Sequence, residues 1–459
     1  MKTLRRLPYP LKFFLVFSVI FGGLIIKCVP PLQAPDEIGH YVKAESFAHF
    51  DIRPKPRTNE TNKNNRKTWG EYGFKVSNEI QKMNDYANAT LGKQAKYPYQ
   101  TDETFETEKV FIGTGGITNY SFINYIPQVI GIWVGRIIQK PIIWQYYLAR
   151  VFNLVTYITI VFLAIKMFPF SKWGAVILGL NPMALFLSAS VSGDGMIMAG
   201  GFFFVSWMMN LYQSKEITNI KLFFSGILLV SLVLMKPTMI VLGLLFFMIP
   251  NNKFDIKRKI FWGVGIFLTC ISFYLLWNHL MIDQQLVYRD FADPKNQVLA
   301  FLKNPGIFFS NLFGNYFFGA KGDGVVYSFV GIFGWLDTPL GWHWVVLYFI
   351  TLTIGCLVSQ IEDNSLQLFQ RLILLITIAV YIILTFFALY QIWNKVGRED
   401  AIEGIQGRYF IPGSLLMVPL FSSKEKILIV SNKKINMILS ICLLVVLTAM
   451  IITLNNRYI

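Results

Sequence analysis

The sequence predicts an all-α integral membrane protein, a multi-spanning helical bundle, and three observations carry that prediction. Of its 459 residues, 54% are hydrophobic and only 15% are charged, against about 25% charged in ordinary soluble domains. The mean hydropathy is +0.48. The apolar residues come in blocks, not at alternating or helical spacing, and several blocks reach the ~20 residues needed to cross a hydrocarbon core. A soluble enzyme, a disordered tail and a disulfide scaffold are excluded. The formal net charge of +16 would suit nucleic-acid binding in a soluble chain. In a membrane protein it follows from the collection of Lys and Arg on the cytoplasmic side, so the bilayer is the expected partner and nucleic acid is not. Cys28, Cys270, Cys356 and Cys442 form no Cys-x-x-Cys pair and read as small hydrophobes, without a disulfide framework or a cysteine metal site.

Charge sets the expected topology. Lys2, Arg5, Arg6 and Lys12 place the N-terminus inside, and a retained first span over 11–29 delivers the chain to the outer face. Residues 30–145 form a first extracytoplasmic loop, too long for a plain connector. Its end, 120–138, is apolar but interrupted by Pro127 and Arg136, and reads as a helix lying on the outer surface. A crossing over 146–165 returns to Lys166 and Lys172. Lys215 and Lys221 flank the next inner break, and Lys253, Lys257, Arg258 and Lys259 fill the one after it. The apolar stretch between those breaks is divided by Lys236-Pro237, and two short helices meeting at an outward-facing Lys236 satisfy both the charge count and the helix-breaking proline. A crossing at 260–278, a second large extracytoplasmic region over 279–342, and crossings at 344–358, 372–388, 409–420 and 435–454 follow. Lys424, Lys426, Lys433 and Lys434 mark the last inner loop. With a span that starts near Trp173 and ends at Asp194 on the outer face, and the return from it, the count is about eleven crossings within one transmembrane domain, 1–459, without internal repeats.

Polar residues gather where these spans meet the outer face. Pro35-Asp36-Glu37 with His40 and Tyr41 opens the first loop. On a helix, Asp36 and His40 share a face, as do Glu37 and Tyr41. Asp194 stands in Ser192-Gly193-Asp194, Asp337 in Gly334-Trp335-Leu336-Asp337, and Gln406-Gly407-Arg408-Tyr409 directly precedes a span. Each has an ordinary role open to it: a helix start for Asp36, a turn for Asp194, a helix cap for Asp337, a snorkelling arginine for Arg408. Together they suggest one outer cavity holding carboxylates and cations. Such a cavity suits reaction between a lipid-anchored phosphate and an outside hydroxyl. Asp36, with Glu37 adjacent, would take the proton of the attacking alcohol, and Arg408 or Lys236 would neutralise the departing phosphate. Gly113-Thr114-Gly115-Gly116 is expected to follow no strand and lacks a Walker lysine, so no nucleotide donor is indicated.

In their order, Pro35-Asp36-Glu37 with His40, the Ser-Gly-Asp around Asp194, Lys236-Pro237, Gly334-Trp335-Leu336-Asp337 and Gln406-Gly407-Arg408-Tyr409 resemble the bacterial membrane family known as domain of unknown function 2142. The resemblance runs from about residue 11 to 420, with the last span outside it. That family looks like a branch of the GT-C glycosyltransferases. The resemblance implies a polyprenyl-phosphate-linked sugar donor, a cell-surface glycan acceptor, extracytoplasmic transfer and usually inversion at the anomeric carbon. It implies Asp36 as the base and Asp194 as a second acidic residue at the outer end of a later helix. It also implies a separate membrane enzyme that makes the donor. Substrate-binding roles for His40, Lys236, Asp337, Gln406, Arg408 and Tyr409 rest on their chemistry. No cofactor is assigned; a divalent cation would fall between Asp36 and Asp194. Two other readings stay open: a flippase or exporter of lipid-linked sugars, which would want charges along the spans beyond Lys236, and a polysaccharide polymerase.

Overall fold

The computed structural model describes residues 7–57, 72–89, 108–281, 291–358, 366–421 and 431–459; Lys424 and Lys426 of the predicted inner loop lie outside these. Among the described residues, six helices are long and apolar enough to cross a membrane. They are α1 (Tyr9–Cys28), α5 (Ile142–Met167), α8 (Asp194–Gln213), α10 (Ile256–Leu280), α15 (Leu368–Trp393) and α16 (Asn432–Tyr458). The shorter helices are α2 (Glu37–Ala48), α3 (Asn78–Ala89), α4 (Ile126–Ile137), α6 (Lys172–Gly179), α7 (Pro182–Ser188), α9 (Asn219–Met235), α11 (Pro294–Lys303), α12 (Pro305–Asn311), α13 (Lys321–Val330) and α14 (Trp342–Leu357). The chain is a multi-pass helical membrane protein.

Local chemistry sets the boundaries. Pro10 sits in the first turn of α1, and Val29 takes extended backbone after it, as a residue preceding proline prefers. The apolar stretch 172–188 is cut in two at Asn181-Pro182: Asn181 accepts from the Ala184 amide, and Pro182 occupies the first position of α7. Thr218, Asp255 and Ser431 cap α9, α10 and α16 in the same way.

Two apolar stretches too short for an α-helical crossing are wound as 3₁₀ helix, Pro237–Met248 and Gly407–Phe421. At ~2.0 Å per residue they extend about 24 and 30 Å. Pro412 and Pro419 inside the second remove the amides an α-helix would need. Lys236 is the extended residue between α9 and the first, the break expected from Lys236-Pro237.

The first loop departs from a purely helical expectation. It holds a three-stranded antiparallel sheet, Lys55–Pro56 against Tyr72–Ser77 against Lys109–Gly113. Gly113-Thr114-Gly115-Gly116 therefore does follow a strand, contrary to the sequence expectation. What comes next is a three-residue 3₁₀ turn, pinned by Lys43, whose Nζ donates to the Ile117 and Thr118 carbonyls at 2.9 and 2.6 Å. Burial holds Lys43 well below the usual lysine range. Helices α2, α3 and α4 have twelve residues each, about 18 Å, and are too short to cross.

Three apolar clusters organise the interior. The main one fills the bundle through Phe14, Tyr157, Leu185, Phe204, Leu415 and Leu447. The second lies under the first loop, around Tyr41, Phe74, Tyr125, Ile132 and Tyr146. A third gathers Phe308, Leu312, Phe386, Tyr390 and Ile402.

Candidate active site

Adjacent residues of one motif part company at the start of α2. Asp36 adopts left-handed backbone, φ 57°, an uncommon state for a non-glycine residue, and its carboxylate caps no amide. The Asp36 side chain is 52% exposed. Glu37 turns the other way and is fully buried against Arg150 of α5. Arg150 Nε and Nη2 donate to the two Glu37 oxygens at 3.1 Å each. Its Nη1 and Nη2 donate to the Val29 and Pro30 carbonyls at 2.7 and 3.0 Å. The Ala34 and Val191 amides complete the Glu37 shell at 3.0 and 2.9 Å. Burial alone would raise the Glu37 carboxyl, but the guanidinium and these donors bring it below the usual range. Glu37 is thus a junction of α1, α2, α5 and the 190–193 turn, not a second acid beside Asp36. The expected face shared by Glu37 and Tyr41 exists and points inward, with Tyr41 edge-on to Tyr146 at 4.9 Å.

The Ser192-Gly193-Asp194 turn is held from below. Asn153 donates to the Ser190 and Ser192 carbonyls at 2.9 and 3.1 Å, and Gln128 to the Ser192 carbonyl at 3.1 Å. A Cβ on Gly193 would meet Asn124 at 3.1 Å, so the turn passes close to the 122–125 segment. Asp194 then begins α8 with its carboxylate turned to Arg408, Oδ2 to Nη1 3.6 Å. Asp36 Oδ2 approaches Nη2 of the same guanidinium at 3.8 Å. Arg408 is only 5% exposed, which excludes the snorkelling role, and its Nε has no hydrogen-bond partner among the described residues. The guanidinium occupies the space between Asp36 and Asp194 where a cation would fall. Among the described residues, no three His, Cys, Asp or Glu side chains converge as a metal site.

Tyr409 completes the cationic side. Lys236 Nζ lies 4.6 Å from its ring centroid and the Arg408 guanidinium 5.4 Å, within cation–π range. Its carbonyl accepts from the Tyr381 hydroxyl at 2.6 Å. The preceding Gly407 is required by close approach: a Cβ there would stand 2.0 Å from the Val325 carbonyl oxygen of α13. The Gly407 amide donates to Ser328 Oγ at 2.6 Å. Gln406 offers a buried Oε1 without a partner among the described residues.

His40 lies on the floor beside this cluster. Its Nδ1 is 2.7 Å from the Tyr125 hydroxyl and 3.5 Å from the Gly193 amide. An amide only donates, so Nδ1 is an acceptor, Tyr125 donates to it, and the proton sits on Nε2. Burial brings His40 down to about 4, with Asp194 and Asp36 opposing that shift, so the ring is neutral at physiological pH. Burial also raises Tyr120 and Tyr125, leaving both hydroxyls protonated.

Asp337 does not join the cluster. Gly334-Trp335-Leu336-Asp337 forms the turn of a small hairpin, Ile332–Phe333 with Thr338–Pro339, with Gly334 and Leu336 at φ 62° and 64°. The Asp337 carboxylate caps no helix; it accepts from Arg457 of α16 at 2.9 Å and from the Thr338 hydroxyl at 3.0 Å. Trp335 Nε1 donates to the Leu32 carbonyl at 3.1 Å, which ties the hairpin to the segment before Asp36.

A groove of about 720 Å³ runs between α9, α10 and the 122–125 turn, lined by Phe122, Ile123, Phe223, Leu234, Trp262 and Trp277. Leu234 of its wall stands two residues before Lys236 in the chain, and Asn124 donates to the Met235 carbonyl at 3.5 Å. Sequence reasoning missed this groove, Tyr120, Tyr125 and Arg150. It counted the spans as nearly charge-free apart from Lys236 and passed over Arg150, which lies inside α5. A charge at that depth requires a partner, and that requirement was a usable pointer to Glu37.

The chain matches no curated protein and no solved structure. It does match, over residues 19–417, the family described as "Predicted membrane protein (DUF2142)". The protein therefore belongs to the DUF2142 family of membrane proteins.

Proposed function

We propose that this protein is an extracytoplasmic glycosyltransferase of GT-C type that moves a monosaccharide from a polyprenyl-phosphate carrier to a hydroxyl of a cell-surface glycan. The observation that carries the reading is the Asp36–Arg408–Asp194 cluster: a buried guanidinium with an unpartnered Nε, faced by an exposed carboxylate at 3.8 Å. Asp36 is the base. It accepts the proton of the acceptor hydroxyl as that oxygen bonds the anomeric carbon and the bond from that carbon to the carrier phosphate breaks. Arg408 and Lys236 take the charge left on the departing phosphate, Asp194 orients Arg408, and the Tyr409 ring lies within cation–π reach of both cations. Gln406 presents its buried Oε1 two residues before Arg408, and His40 stays neutral. The apolar groove, whose lining includes Leu234 two residues before Lys236, suits the carrier's hydrocarbon tail.

The topology belongs to the same proposal. The eleven apolar segments α1, α5, α6 with α7, α8, α9, Pro237–Met248, α10, α14, α15, Gly407–Phe421 and α16 cross in alternation, with the N-terminus cytoplasmic and the cluster outside. Arg150 does not revive the transport reading, because Glu37 and two carbonyls use it fully.

The test is the surface glycan of cells with this gene deleted, complemented by wild type or by Asp36→Ala. Loss of one side-chain sugar, restored by wild type and not by Asp36→Ala, is expected. A shortened or absent chain would favour a polymerase, and glycan accumulating inside would favour a flippase. Full restoration by Asp36→Ala would overturn the site.

A further inference from the structure

The segment from Phe291 to Ala320 has two unlike faces. Four of its polar side chains turn to one loop, 395–403. Gln297 Oε1 accepts from the Gly397 amide at 2.9 Å. Asn311 and Asn315 donate to the Arg398 and Asp400 carbonyls at 3.2 and 2.7 Å, and the Tyr316 hydroxyl donates to the Ile402 carbonyl. The opposite face is bare: Leu299, Leu302, Phe313, Phe317 and Phe318 are 47, 68, 45, 55 and 87% exposed. An apolar patch of that kind marks an interaction surface.

Its depth follows from what the segment packs against. The Phe301 ring lies 4.9 Å from Phe387, Phe308 lies 5.7 Å from Phe387 and 5.4 Å from Tyr390, and Tyr316 lies 4.8 Å from Phe386. All three partners belong to the last turns of α15. That helix has 26 residues, about 39 Å at 1.5 Å per residue, against a hydrocarbon core of ~30 Å. Centred, it overshoots the core by about 4–5 Å at each end. Phe387 lies roughly 9 Å inside the Trp393 end, below the hydrocarbon boundary. The rings that touch it lie at that depth too, and an unbroken ladder continues outward: Phe308–Phe309 at 5.3 Å, Phe309–Phe313 at 6.4 Å, Phe313–Phe317 at 5.5 Å.

We propose that 291–320 is a membrane-dipping arm whose Leu299, Leu302, Phe313, Phe317 and Phe318 face lies among lipid acyl chains. This proposal does not depend on glycosyl transfer. The arm runs directly into α13, whose backbone lies against Gly407 and whose Ser328 accepts the Gly407 amide. Lipid contact therefore steadies the start of the 3₁₀ helix that carries Arg408.

Spin labels at Phe318→Cys and, separately, Leu302→Cys test it. The background is the full chain with the four native cysteines replaced by alanine, in vesicles of phosphatidylethanolamine and phosphatidylglycerol. Lys75→Cys, on the exposed side of its strand, serves as the aqueous control. Oxygen should dominate collisions at 318 and 302 over a water-soluble nickel chelate several-fold, with the reverse at 75. Nickel access at 318 and 302 equal to that at 75 would overturn the proposal. So would shielding of both labels from both relaxants, which would mean that protein covers the face.

Discussion

Arg150 and Arg408 each meet carboxylates in buried surroundings, but they meet them differently. Arg150 has every nitrogen at work, on Glu37 and on the carbonyls of Val29 and Pro30, and neither it nor its acid is exposed. Arg408 stands 3.6 and 3.8 Å from its two acids, with Nε unpartnered among the described residues and Asp36 open to solvent. A closed pair fixes geometry; an open one keeps donors in reserve for something that arrives. The two sites are linked through one dipeptide, Asp36-Glu37, in which the buried residue positions the exposed one.

The sharpest way to break this comparison is Arg150→Ala. It leaves the Glu37 charge buried and unpaired, a loss of about 3–5 kcal/mol, and should appear as a collapse of the thermal midpoint in detergent. An unchanged midpoint would mean that the pair is no junction. Asp36→Asn should do the reverse: transfer falls about 10²–10⁴-fold while melting stays as in wild type. A drop in stability of the size seen for Arg150→Ala would place Asp36 with the structural residues. Arg408→Lys keeps the charge but loses the planar fork, and should lower transfer about 10²-fold with little change in melting; wild-type rates would remove Arg408 from the phosphate side.

The smallest expected effect is a pH dependence. His40 is held at about 4 in the fold, against ~6.5 in the unfolded chain. Between those values the unfolded chain binds a proton that the native ring refuses, so this contribution is complete above about pH 6.5 and is lost as pH falls towards 4. The thermal midpoint should decline across that window, and His40→Gln should flatten the decline. A variant as pH-sensitive as wild type would show that His40 is not the group responsible.

Much of the fold was legible from composition and punctuation. Lys236-Pro237 marked a helix break because proline lacks an amide, and the structure places the break there. The sheet in the first loop was not legible: its outer strands are two and five residues long and join across distant sequence. In the candidate site, Asp36, His40, Asp194, Lys236, Arg408 and Tyr409 were all named from local motifs, and the structure brings them together. Glu37 and Asp337 were named by the same reasoning and point elsewhere, because a motif fixes residue type and spacing but not which face a neighbour will cover.

The sequence by itself determined that the chain belongs in a bilayer and where most of its apolar segments begin and end, the single span read from Trp173 to Asp194 being broken at Asn181-Pro182; those ends follow from hydrophobic length, proline and charge within a few residues of each other. Tertiary structure decided which acid is buried and which is exposed. That choice depends on Arg150, 113 residues from Glu37, and on Arg408, still farther along the chain. Desolvation and charge pairing act through space, and only the folded bundle sets those distances.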